Sequence, residues 1–266
     1  MRILPSLLAT SIALALSGCD DGGSQSFGMG EPVAAAPEIP PVECEDPTLA
    51  GEVSFSDVTV HDPSVMRDSE GTYYIYGSHL AAAKSVDLLN WELIATEVND
   101  ENPLFNTYAA EAAEGIEWVG GHVGSWAADV IQLNDGRYYF YYDHCALPDT
   151  GNCVSRSYLG VAVADAPEGP FTNLGLILKT GQVGDENPGI NGEDYNGNIH
   201  PNAIDPDVFF DKDGRLWMVY GSYSGGIWIM EMDPDTGMAL PDQGYGTKLM
   251  GGYYSAIEGP YMLYSP

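Results

Sequence analysis

Basic residues are scarce: nine Lys and Arg stand against 39 Asp and Glu, a formal charge of −30 over 266 residues. Such a surface repels nucleic-acid phosphate and anionic lipid headgroups. It also disfavours polyanionic polymers, absent a local basic site or metal, and leaves a neutral ligand such as an uncharged polysaccharide. The same charge favours a soluble monomer. Cysteines number four, without zinc-finger spacing, and the five histidines form no HxxxH or HExxH pattern, so no residue is assigned to a metal. The Asp/Asn-rich stretch Asp194-Tyr195-Asn196-Gly197-Asn198 lacks the glycine and terminal Glu of an EF-hand and reads as a solvated loop. The 3.6-residue period of helical repeats is also missing.

The apolar run Ile3 to Gly18 is too short for a comfortable membrane span. It follows a basic start and ends Leu16-Ser17-Gly18-Cys19, the pattern of a bacterial lipobox. Residues 1–19 are therefore expected to be a lipoprotein signal peptide, with Cys19 lipidated and the protein exported and anchored at the cell envelope, or secreted. Residues 20–50, rich in Gly, Ser, Pro and acids with few large apolar residues, read as a flexible linker. Cys44 sits in it. Cys145 and Cys153 lie in one loop and are expected to pair in an oxidising compartment.

What is abundant is glycine, at 32, and tyrosine, at 17. They recur in a repeated unit. Copies begin at Asp62, Ala127 and Asp205, each with an apolar strand, an acidic turn ending in glycine nine residues on (Gly71, Gly136, Gly214), and an aromatic strand. This is a hairpin signature, and strand pairs so spaced suggest propeller blades. The stretches 83–85, 159–164 and 226–232 are candidate third strands. A fourth copy starts at Glu258, and its turn glycine would fall one residue past the end. The expected fold class is all-β, a partial β-propeller over residues 51–266 with about three blades and the start of a fourth.

First strands of propeller blades line the central channel, so Asp62, Asp205 and Glu258 are expected to converge. A single Asp before Pro is more often a turn residue than a catalyst. Ala127, however, shows that the repeat folds without an acid at this position. Paired carboxylates across about 6.5–9.5 Å are what inverting glycosidic hydrolysis needs, with a third raising the acid's pKa by repulsion. Trp126 either stacks on sugar faces or packs between blades. Asn202 either binds hydroxyls or caps a turn. Tyr254 is a further candidate for sugar stacking.

His61-Asp62-Pro63-Ser64, Asn202-Ala203-Ile204-Asp205-Pro206 and Ile257-Glu258-Gly259-Pro260 together resemble the three catalytic motifs of glycoside hydrolase family 43, most of all its endo-α-1,5-L-arabinanases. The resemblance implies a five-bladed propeller and an inverting mechanism on arabinan, with Asp62 as general base, Asp205 as pKa modulator and Glu258 as general acid. It implies no cofactor for the chemistry, and a structural calcium whose ligands lie largely beyond residue 266. An exo-acting α-L-arabinofuranosidase or β-xylosidase of the same fold, and a non-catalytic carbohydrate-binding lipoprotein, are the alternatives. Two departures stand out: Trp126-Ala127-Ala128-Asp129 lacks the family's proline, and Tyr254 stands where related arabinanases carry a histidine.

Overall fold

Each repeat hairpin folds as its pattern requires. In the computed structural model, which describes residues 58–121, 123–146, 152–181 and 194–263, β1 (Ser64–Arg67) pairs antiparallel with β2 (Tyr73–Gly77). The turn between them is closed by Asp68, whose Oδ1 accepts the N–H groups of Glu70 and Thr72 at 2.9 Å. The equivalent Gly136 and Gly214 have φ of 82° and 80° with open space where a Cβ would stand, so backbone conformation alone asks for glycine there. Residues 1–19 with Cys19 and 20–50 with Cys44, expected to be a signal peptide and a linker, lie outside the described residues, as does His122.

The chain winds each sheet outward as a meander. β3 (Ala81–Ser85) and β4 (Glu92–Ala95) complete the first sheet. Two short helices follow, α1 (Tyr108–Glu111) and α2 (Ala113–Trp118). They were not legible in the sequence because neither is long enough to display a period. In the second sheet the inner strand is broken into β5 (Val123–Gly124) and β6 (Asp129–Gln132), both paired with β7 (Tyr138–Ala146). β8 (Arg156–Ala164) and β9 (Thr172–Gly181) lie outside it. The third sheet runs β10 (Asp207–Phe210), β11 (Leu216–Ser222), β12 (Gly226–Met232), β13 (Thr247–Met250). The three expected third strands are thus β3, β8 and β12.

Strand β6 touches both β1 and β10, so the first strands of the three sheets meet, as propeller blades do. Asp129 holds them there. Its buried carboxylate accepts the Ser64 hydroxyl at 2.5 Å and the Val208 N–H at 2.8 Å, joining all three blades. Strand alternation on β7 then divides the aromatics between two interfaces. Tyr138, Phe140 and Tyr142 pack with Tyr76, Phe105 and Tyr108 on the side of the first sheet. Tyr139 and Tyr141 pack with Met218 and Tyr220 on the side of the third. The buried hydroxyls find acceptors, Tyr76 on the Pro167 carbonyl at 2.6 Å and Tyr141 on that of Gly237 at 2.8 Å.

The fourth copy departs from expectation. None of the described residues 251–263 forms a strand. Its backbone bonds side chains of the third copy. Gly259 N–H donates to Asp205 Oδ2 at 3.1 Å and Met262 N–H to Asp207 Oδ2 at 2.9 Å.

Asp207 is buried, and burial first, then the charge of Asp129, lifts its carboxyl to about 7. A carboxyl raised on folding binds its proton more tightly in the folded state. Its stabilising contribution is present below the unfolded value near 4 and is lost as pH rises towards 7. Asp207→Asn keeps an acceptor for Met262 and cannot ionise. It is expected to raise the melting temperature at pH 8 and leave it nearly unchanged at pH 4, a difference on the order of a few kcal/mol at most. An equal shift at both pH values in thermal denaturation would contradict it.

Candidate active site

Asp62 and Asp205 each precede a proline, and each adopts a left-handed backbone, φ 49° and 52°. Residues before proline ordinarily stay extended, and a non-glycine residue in this region is uncommon, though Asp tolerates it better than most. The same unusual bend therefore ends the inner approach of two blades. Beyond the third sheet, Glu258 precedes Gly259, with φ 58°. All three acids line one cavity of about 330 Å³, together with His61, Trp126, Asn202 and Tyr223. Side chains remote in sequence thus face one sugar-sized space.

Their surroundings differ. Asp62 is exposed to the cavity, with Oδ2 accepting the Ser78 hydroxyl at 2.7 Å and lying 2.6 Å from His61 Nδ1. Glu258 is also exposed. Asp205 is buried, and its carboxyl is pushed up to about 7. Burial is the chief cause. The Gly259 N–H opposes the shift, and the charges of Glu258 and Asp62 add to it. At Asp205 desolvation does more than repulsion.

Asn202 is fully buried. Its Oδ1 accepts the hydroxyls of Ser222 (2.9 Å) and Ser224 (3.0 Å), which orients the amide, and Nδ2 has no protein partner among the described residues. Its side chain caps no turn, and Nδ2 is itself buried in the wall. Trp126 lines the cavity and packs its ring on His79, centroids 5.6 Å apart. Tyr254 does not line this cavity. Its exposed ring stacks on Tyr223, 5.8 Å and 27° away, and borders a neighbouring cavity with Asn152 and Tyr195. Tyr223 is the aromatic of that pair that reaches the acids. It follows Tyr220-Gly221-Ser222 directly, and only that adjacency hinted at it. His200 instead stacks on Tyr245, centroids 5.3 Å apart.

Cys145 and Cys153 are disulfide-bonded, and Cys153 forms part of the cavity wall. Among the described residues no group of three or more His, Cys, Asp or Glu is arranged to hold a metal ion.

Residues 54–265 match the family described as glycosyl hydrolases family 43. The extracellular endo-α-(1→5)-L-arabinanase 2 of Bacillus subtilis is 52% identical over 212 residues, 80% of this chain and 43% of that protein. The corresponding enzyme of Thermotoga petrophila is 48% identical over 219 residues, 80% of this chain and 44% of that one. The crystal structure of the Thermotoga petrophila endo-1,5-α-L-arabinanase superposes with a TM-score of 0.74 at 46% identity, over 81% of this chain and 47% of that one. A family 43 glycoside hydrolase of Bacillus licheniformis gives 0.73 at 52%, over 81% and 46%. The chain thus spans less than half the length of these relatives. The match covers most of this sequence and includes all three acidic motifs, and the chain belongs to glycosyl hydrolases family 43.

Proposed function

We propose that the protein hydrolyses α-1,5-L-arabinofuranosidic bonds of arabinan with inversion of configuration. The observation that carries this reading is the convergence of Asp62, Asp205 and Glu258 on one cavity. The relatives' names, which specify endo-acting arabinanases, supply the substrate.

In this reading Asp62 takes a proton from the attacking water as the water's oxygen bonds to the anomeric carbon. Ser78 and His61 fix the Oδ2 side of its carboxylate. Glu258 gives its proton to the departing glycosidic oxygen. Asp205 is tied to the Glu258 segment through the Gly259 N–H and orients the acid. The faces of Trp126 and Tyr223 meet the sugar, and Asn202, held by Ser222 and Ser224, shapes the cavity wall. A surface of charge −30 keeps the protein monomeric and suits an uncharged polymer.

Digestion of linear arabinan followed by NMR tests the proposal. Mixed oligosaccharides whose new reducing ends appear first as the β anomer are expected. Arabinose as sole product moves the reading to an exo-acting enzyme, and no cleavage removes it.

Export is part of the same proposal, because two relatives are named extracellular. Cys19 is the lipid-bearing residue in it. Cys19→Ala is expected to shift the protein from the membrane to the soluble fraction. Continued membrane association would sink the anchor.

A further inference from the structure

The inner strand of the second blade is broken where the other two blades carry their acids. Gly124 pairs with Cys145, and Asp129 with Tyr141, while residues 125–128 between them pair with nothing in the ladder. The break lets Trp126 and Ala127 line the cavity. It also strands backbone N–H groups beside β7, and a buried unpaired N–H costs free energy comparable to a lost hydrogen bond. The residue of β7 facing the break is Asp143, fully buried directly after a run of five aromatic residues. Its Oδ1 accepts the Trp126 N–H at 3.2 Å, and its buried Oδ2 has no partner among the described residues.

The position has counterparts. Ser64, Asp129 and Asp207 pair with Tyr76, Tyr141 and Val219. Two residues further along each second strand come Ser78, Asp143 and Gly221. Ser78 bonds the Asp62 carboxylate. Blade two, with Ala127 in place of an acid, carries its carboxyl on the second strand instead.

We propose that Asp143 is a positioning residue for the reaction, its Oδ1 holding the Trp126 backbone, and with it the Trp126 ring and Ala127, at the cavity wall. It touches no reacting atom. Burial, and then the charge of Asp205, holds Asp143 well above the usual carboxylate range, with the Trp126 N–H bond opposing the shift and Asp62 adding to it. Tyr108 also feels its charge. What the site takes from Asp143 is the oxygen that accepts the Trp126 N–H.

The kinetic part of the test rests on the hydrolase reading; the structural part does not. Asp143→Asn keeps a neutral acceptor and is expected to retain kcat within about threefold and an unchanged pH profile. Asp143→Ala is expected to lower kcat about 10- to 100-fold, the scale of a small misplacement of reacting groups, with a smaller change in KM. In ¹⁵N-labelled protein, hydrogen-exchange protection at the Trp126 amide should fall in Asp143→Ala and persist in Asp143→Asn. Unchanged protection in Asp143→Ala overturns the proposal. So does an Asp143→Asn variant as impaired as Asp143→Ala, which would assign the role to charge. If Asp143→Ala does not fold, loss of protection at the Trp126 amide in Asp143→Asn is decisive against it. Failure of the unsubstituted protein to cleave arabinan would sink the hydrolase reading and leave the amide result standing.

Discussion

Glu258→Gln is expected to lower kcat on linear arabino-oligosaccharides by about 10²-fold or more, the usual yield of a positioned acid or base, with KM little changed. The amide has the size of the acid and no proton acidic enough to give. Glu258 is exposed at the cavity, so the substitution disturbs no packing. Its signature is dependence on the leaving group. A sugar alcohol departs poorly as an anion and needs the proton, whereas a nitrophenolate leaves without one. The loss should therefore shrink markedly on a nitrophenyl arabinofuranoside. A loss of equal size on both substrates would take Glu258 out of the donor role.

Asp62→Asn should cost about 10²- to 10⁴-fold in kcat, and to a similar extent whatever the leaving group, because water activation is needed in every case. Asn is a better choice than Ala at this position. Asp62 has φ 49°, a region Asn enters readily and Ala resists. The substitution can also keep an oxygen in place for the Ser78 hydroxyl, so that basicity alone is removed. Azide needs no deprotonation and should restore turnover, giving a glycosyl azide of inverted configuration. Wild-type rates in Asp62→Asn, or no azide product, would argue against the general-base assignment.

The hairpins and the three acids were legible because both are written as repeats. Asp62, Asp205 and Glu258 occupy one position in the first, third and fourth copies, and turn glycines mark the register of the first three. The outer strands β4, β9 and β13 were not, because they lack the aromatic run of the second strands. The wholly exposed Thr247–Met250 gives no burial pattern to read. Tyr254 and Tyr223 could not be told apart by sequence, since only the packed structure decides which of two stacked rings reaches the cavity. Ser78 and His79 act through a local backbone reversal, with His79 and Leu80 at φ 64° and 53°, that no composition rule announces. Asp143 did leave a trace: a carboxyl directly after Tyr138-Tyr139-Phe140-Tyr141-Tyr142, in a strand buried throughout, has no solvent to face and must have a structural partner. That partner, the Trp126 N–H on an interrupted strand, lay beyond local reading.

Asp62 and Asp205 stand at the inner ends of two different blades, and Glu258 lies in a segment outside all three described sheets, so no blade contributes two of the acids. A single blade formed early in refolding therefore holds no reacting pair, however native its own ladder. Recovery of hydrolysis after dilution from denaturant should trail the return of β-sheet circular dichroism, because blades must dock before water and proton donor can sit on opposite sides of one bond. A chain threaded unfolded across a membrane would by the same token be silent in transit, with no inhibitory segment needed to keep it so.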